Sequence, residues 1–205
     1  MEIIIADQTH IAYAKVICET IEKAAQTRGT GIARRKPEYI ISKMKKGNAV
    51  IALDKNKFAG FCYIETWSHG KFVANSGLIV HPDYRGQGLA TQIKKHVFEH
   101  SRSKFPDAKI FSITTGLAVM KLNSNLGYTP VTFSELTKDQ TFWDGCQTCK
   151  NYDVLQRTNQ SMCLCTGMLY DPNNKVSTTP KKITTKAFTR LKSIKQTLFL
   201  KNKKK

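Results

Sequence analysis

The chain has 205 residues, of which 40% are hydrophobic and 23% charged, an ordinary balance for a globular domain with a sizeable core. No apolar run approaches the roughly 20 residues a membrane-spanning helix needs, and MEIIIADQTH lacks a basic leader and cleavage site, so a cytoplasmic location is expected. The formal net charge of +18 is concentrated at one end: residues 171–205 carry eleven Lys or Arg and one acid, which weakens a nucleic-acid reading of the chain as a whole.

In chain order, EIIIA at 2–6 reads as a strand. Asp7 or Thr9 can cap a following helix whose apolar face includes Ile11, Ala14, Cys18 and Ile21. The glycine-bearing loop RGTGIARRK begins at Arg28, and Pro37 then opens a second helix that runs to about Gly47. NAVIALDKNKFAGFCYIETW predicts two strands joined by the turn DKNK. Ser68-His69-Gly70 is another turn, KFVANSGLIV a strand, and LATQIKKHVFEHSRSK an amphipathic helix. AKIFSITT, GLAVMKLNSN and GYTPVTF follow as strand, helix and strand. The order β-α-α-β-β-β-α-β-α-β predicts a mixed α/β domain over 1–135. Residues 136–170 are expected to be a small cysteine-containing appendage packed on it. In the basic tail, 171–205, Ile183, Ala187, Leu191, Ile194 and Leu198 recur at helical spacing. The tail reads either as a basic amphipathic helix contacting nucleic acid or an anionic membrane surface, or as a solvated disordered segment.

One signature occurs twice, as RGTGIA at 28–33 and RGQGLA at 85–90. The second lies between a strand and a helix. Helix N-termini carry unpaired N–H groups and the positive dipole end, so they attract anions. Gly86 and Gly88 allow close backbone approach, and Arg85 adds positive charge. No Lys-Ser/Thr follows, so this is not a Walker loop, and the GxGxxG spacing is missing.

Here the sequence resembles the GNAT acyltransferase superfamily: Arg85-Gly-Gln-Gly88-Leu-Ala90 fits the family's (R/Q)-x-x-G-x-(G/A), preceded by a strand and VHPDYRG. The resemblance covers about 1–135. It implies a mixed central sheet flanked by helices, with acetyl-CoA or another acyl-CoA as cosubstrate. It implies that the amides of Gln87, Gly88, Leu89, Ala90 and Thr91 hold the pyrophosphate, with Arg85 and Gly86 beside them and Val80 along the pantetheine arm. Amine attack on a thioester needs a neutral amine, a stabilised oxyanion and a proton for the leaving thiolate. The family often supplies that proton from a Tyr in the later helix. Asn123 stands at that place here, in Asn-Ser-Asn-Leu-Gly-Tyr128, so Ser124, water or unassisted thiolate departure could substitute. Glu65, in FCYIETW, is the candidate base, and its competing reading is a solvated strand-end carboxylate. His69 and His81 read as structural.

The first loop follows a helix, and Arg28, Arg34 and Arg35 there suit an acidic acceptor, since arginine can grip a carboxylate through two parallel hydrogen bonds. Its competing reading is a solvated basic loop. ITTG and LGYTPVTFSEL, with FWDGC, look like short stand-alone N-acetylglutamate synthases of arginine biosynthesis. That resemblance implies transfer to the α-amine of glutamate or a similar acidic amino acid. Acetyl and succinyl donors both stay open, as does a homodimer. Two other readings stand beside it: a GNAT acting on another small-molecule or protein amine, and a degenerate GNAT that binds through its basic tail. Finally, Cys146-x-x-Cys149 and Cys163-x-Cys165 resemble the ligand set of a structural zinc. Buried thiols in paired strands over NYDVLQR and SMCLCTGMLY, or a redox pair, are the alternatives.

Overall fold

The computed structural model describes residues 1–28 and 34–174. The tail from 175 onward and the glycine loop at 29–33 lie outside the described residues, and with them the expectations for the tail and for most of RGTGIA.

The elements are β1 (Glu2–Ile5), α1 (Ala14–Arg28), α2 (Pro37–Lys45), β2 (Ala49–Asp54), β3 (Lys57–Trp67), β4 (Phe72–Val80), α3 (Leu89–Lys104), β5 (Lys109–Thr114), α4 (Leu117–Asn125) and β6 (Thr129–Val131). This is the expected order. Asp7 does act as a cap, its carboxylate accepting the Thr9 N–H at 2.8 Å. It caps a 3-10 turn, Gln8–Tyr13, that precedes α1, so the first helix begins later than expected. Then come α5 (Gln140–Asp144), α6 (Tyr152–Arg157) and β7 (Thr166–Tyr170).

The seven strands form one sheet in the order β1-β2-β3-β4-β5-β7-β6. Only β4 and β5 run parallel. The expected boundary at 135 cuts this sheet: β7 lies between β5 and β6, pairing Ile110–Thr114 on one side and Thr129–Val131 on the other. Residues 136–170 thus supply an interior strand of the sheet as well as α5 and α6. Gly167, Met168 and Leu169 are buried in succession, as a strand covered on both faces requires. NYDVLQR is α6, not a strand.

Alternation along β3 sends Phe61 and Tyr63 to one face and Cys62 and Ile64 to the other. The first face packs on α1 and α2 through Ile17, Ile21, Ile40 and Met44. The second packs on α3 through Leu89, Ile93 and Val97. A third, aromatic cluster joins Phe111, Phe133, Phe142 and Trp143 beside β7.

One discontinuity positions the site. The β4–β5 register holds only for Phe72–Ala74 against Lys109–Phe111. Both strands continue beyond it without pairing to each other, so the sheet parts between Asn75 and Ser112.

Candidate active site

A cavity of about 910 Å³ opens where the strands part. Its β4 wall is Asn75–Ile79 and its β5 wall Ser112–Thr114. β4 carries an irregularity here: the β3–β4 register shifts between Phe61 and Tyr63. Gly77 has φ +66°, and a Cβ at this position would lie 2.3 Å from the Tyr63 ring. Only glycine fits, because the ring lies directly against the backbone.

On the α1/α2 face the cavity meets Arg35, Tyr39, Tyr63 and Glu65. Arg35 Nε donates to the Tyr63 hydroxyl at 2.7 Å, and one Nη donates to the Arg34 carbonyl at 3.0 Å. Glu65 is 6% exposed. It accepts a hydrogen bond from the Tyr39 hydroxyl, and Lys43 Nζ lies 3.7 Å from the same oxygen. Burial raises the Glu65 carboxyl above its ordinary range, with the positive charge of Arg35 opposing that shift. Burial likewise pushes the Lys43 ammonium down to about 8. A carboxylate with a raised pKa is a better proton acceptor near neutral pH.

On the α3 face, Asn75 and Lys94 reach the cavity. Asn75 Nδ2 donates to Ser101 Oγ at 2.8 Å, and its Oδ1 accepts from Tyr128 OH at 3.0 Å and from Lys94 Nζ at 3.4 Å. Lys94 is 1% exposed. Its Nζ lies 5.1 Å from the centre of the Tyr128 ring.

The RGQGLA loop leads from β4 into α3. Gly86 and Gly88 both have φ +77°, and Gly88 is the N-cap of α3. Among the described residues, the amides of Gly86, Gln87, Gly88, Leu89 and Ala90 have no intramolecular acceptor. The Thr91 N–H does, since it donates to the Gly88 carbonyl at 3.0 Å. Arg85 Nε donates to the Val80 carbonyl at 3.2 Å, which ties the loop to the end of the strand. The loop and the helix start fit a pyrophosphate, which needs several convergent N–H donors. The strand segment lining the cavity ends at Ile79, one residue before Val80.

Several expected site residues lie elsewhere. Asn123 is fully buried, its Nδ2 donating to Ser112 Oγ at 3.0 Å, and it does not line the cavity. Ser124 is exposed on α4 and does not line it either. Of the arginines expected at the acceptor, Arg35 faces the cavity squarely. Arg34 lies at its rim, 73% exposed and 3.7 Å from Glu22. Arg28 ends α1, and its side chain lies outside the description. The four cysteines all border the cavity, with the Asn151 N–H donating to Cys149 Sγ at 3.4 Å. As placed they do not make a metal-holding set: among the described residues no group of three or more His, Cys, Asp or Glu side chains does.

Tyr39, Lys43, Tyr63, Asn75 and Lys94 were not singled out from the sequence. One of them carried a signal there: Lys94 sits on the apolar stripe of α3 set by Leu89, Ile93 and Val97, where a charge is out of place.

The model of the acetyltransferase (GNAT) family matches residues 18–121, just over half of the chain. Among solved structures, the Neisseria gonorrhoeae N-acetylglutamate synthase complexed with coenzyme A and N-acetyl-glutamate superposes with a TM-score of 0.60 at 15% identity, over 83% of this chain and 34% of that one. The chain therefore spans about a third of that synthase. Mycobacterium tuberculosis Rv2747, in complex with CoA and NLQ, superposes with a TM-score of 0.60 at 13% identity, over 83% of this chain and 99% of that one. A Sinorhizobium meliloti phosphinothricin acetyltransferase in complex with AcCoA gives 0.57 at 13% identity, covering 83% and 87%. At these identities the likeness is one of fold. No curated protein matches the sequence.

Proposed function

The chain belongs to the acetyltransferase (GNAT) family, and on that premise we propose that it transfers an acyl group from acyl-CoA to the α-amine of a small acidic amino acid, glutamate being the preferred candidate. Acyl-CoA is the cosubstrate; relatives of the same fold are complexed with CoA or acetyl-CoA. Its pyrophosphate would sit on the free amides of Gly86–Ala90 and its acyl arm in the gap between β4 and β5. Val80, Arg85 and Thr91 would steady this loop rather than supply its main donors.

The observation that carries the acceptor class is Arg35. It borders the cavity on the α1/α2 face, and its Nε–H is fixed on Tyr63. Among the described residues its second Nη makes no hydrogen bond, which leaves it free for a carboxylate. A guanidinium held this way loses little entropy on gripping an anion. Glu65 faces the same space and would take a proton from the substrate ammonium, directly or through water. The gonococcal relative's N-acetyl-glutamate complex fits this reading.

The test is thiol release from acetyl-CoA with a panel of amines. Glutamate or aspartate should stimulate it, and lysine or a polyamine should not. No stimulation by either acidic amino acid would end the substrate claim.

A further inference from the structure

Lys94 presents a problem that the fold does not answer. It occupies a position on the apolar stripe of α3, is 1% exposed, and borders the cavity at the vertex where β4 and β5 part. A buried ammonium is expensive to desolvate, and an apolar side chain of similar volume would serve packing better. Among the described residues no carboxylate lies within ion-pairing distance of it. The groups that face it are Asn75 Oδ1 from β4, the Tyr128 ring, and the Cys62 thiol from β3. None of these is an anion at neutral pH. Burial pushes the Cys62 thiol up to about 11 and raises the Tyr128 hydroxyl well above its ordinary value. The cavity therefore contains a cation with no counter-ion, placed beside the β4–β5 gap where the acyl arm would lie.

The chemistry there develops two negative centres in turn, the oxyanion of the tetrahedral intermediate and the thiolate that leaves, and only the thiolate must end by accepting a proton. Attack of the acceptor amine forms the C–N bond with the amine lone pair. Collapse of the tetrahedral intermediate breaks the C–S bond, and the electron pair leaves on sulfur. We propose that Lys94 is the proton donor to the departing CoA thiolate. Lys94 Nζ–H passes its proton to sulfur, giving free CoA thiol and a neutral Lys94 amine. The surplus proton on the new amide nitrogen leaves to Glu65 or water, and Lys94 is recharged from solvent. The candidates on α4 and just after it, where the sequence placed the proton donor, are occupied or out of reach. Asn123 is committed to Ser112, Ser124 is exposed, and Tyr128 does not line the cavity. Burial holds the Lys94 ammonium at about 8, where it is mostly charged at neutral pH yet acidic enough to give up its proton.

This inference rests on the acyl-CoA reading but not on the acceptor, and the experiment separates the two. Coenzyme A bound to the full chain is titrated by thiolate absorbance, with no acceptor present. In the wild type the bound thiol should titrate about one pH unit or more below the bound thiol in Lys94→Met, because only the former has a cation beside the sulfur. Turnover of acetyl-CoA should fall about 100-fold or more in Lys94→Met, with KM for acetyl-CoA within about threefold. The wild-type kcat/KM for acetyl-CoA should decline as pH rises through about 8, and the variant should lose that limb. Coincident titrations in wild type and variant would overturn the proposal, as would a kcat loss that keeps the limb. Lys94→Gln gives the same comparison if Met disturbs packing. If neither variant folds, a wild-type bound thiol that titrates no lower than free CoA is enough to reject the role. A chain that binds no CoA would reject the acyl-CoA reading together with it.

Discussion

The Nε–H of Arg35 donates to the Tyr63 hydroxyl at 2.7 Å, across 28 residues of sequence. This bond aims the guanidinium into the cavity from the α1/α2 face. Arg35→Gln should therefore raise KM for the acidic acceptor roughly 30-fold, the equivalent of about 2 kcal/mol for a lost charged hydrogen bond, while KM for acetyl-CoA stays unchanged. Steady-state kinetics with both substrates varied reads the split.

Arg34 serves as the internal control. Its side chain is 73% exposed and its partner is Glu22 at 3.7 Å, outside the cavity wall. Arg34→Ala should change the acceptor KM by less than about threefold, as expected for an exposed ion pair. Arg85→Ala should act on the other substrate, raising KM for acetyl-CoA, because it frees the loop from the Val80 carbonyl.

Gly77→Ala should destabilise the fold by about 2 kcal/mol, since a left-handed φ and a ring 2.3 Å from the new Cβ act together. Because the displaced ring is Tyr63, the acceptor KM should rise as well. Thermal unfolding and kinetics on one preparation check both.

Glu65 gives a pH prediction. Burial raises its carboxyl pKa in the folded chain, so the folded state holds that proton more tightly than the unfolded state does. Ionised Glu65 then costs stability at neutral pH, and the cost disappears as pH falls through the folded pKa. Glu65→Gln should be at least as stable as wild type near neutrality and lose that advantage in acid. Its kcat should drop about 100-fold and lose the acid limb of the rate profile.

The sign is opposite for Lys94. Its ammonium is pushed from 10.5 down to about 8, so the unfolded chain holds more protons between those values. Lys94→Met should be more stable than wild type below pH 8, and that gain should fade as pH rises toward 10.5. Denaturant midpoints at a series of pH values give the curve.

The element order as far as β6 was legible because each segment declares itself locally: apolar runs joined by the turn DKNK for β2 and β3, a 3.6 period for α3, Pro37 at the start of α2. The anion loop was legible for the same reason, since glycines, a preceding strand and a following helix are adjacent in sequence. β7 was not. Its position between β5 and β6 is set by pairing with residues more than thirty-five positions away, and CTGMLY looks the same in a hairpin as inside a larger sheet. The walls of the cavity were hidden on the same ground. Arg35, Tyr63 and Glu65 belong to elements that meet only in three dimensions, and Asn123 occupied the expected position in the sequence while its side chain turned to Ser112. Lys94 could have been read, since a lysine on an apolar stripe breaks the helical pattern.

The most direct measurement is CoA thiol release from acetyl-CoA by the full chain, with L-glutamate and L-aspartate compared against L-lysine and spermidine at saturating acetyl-CoA. The account predicts turnover with the acidic amino acids, lost in Arg35→Gln at subsaturating acceptor, and none above background with the cationic amines. Turnover with lysine or spermidine, and none with glutamate or aspartate, would contradict it.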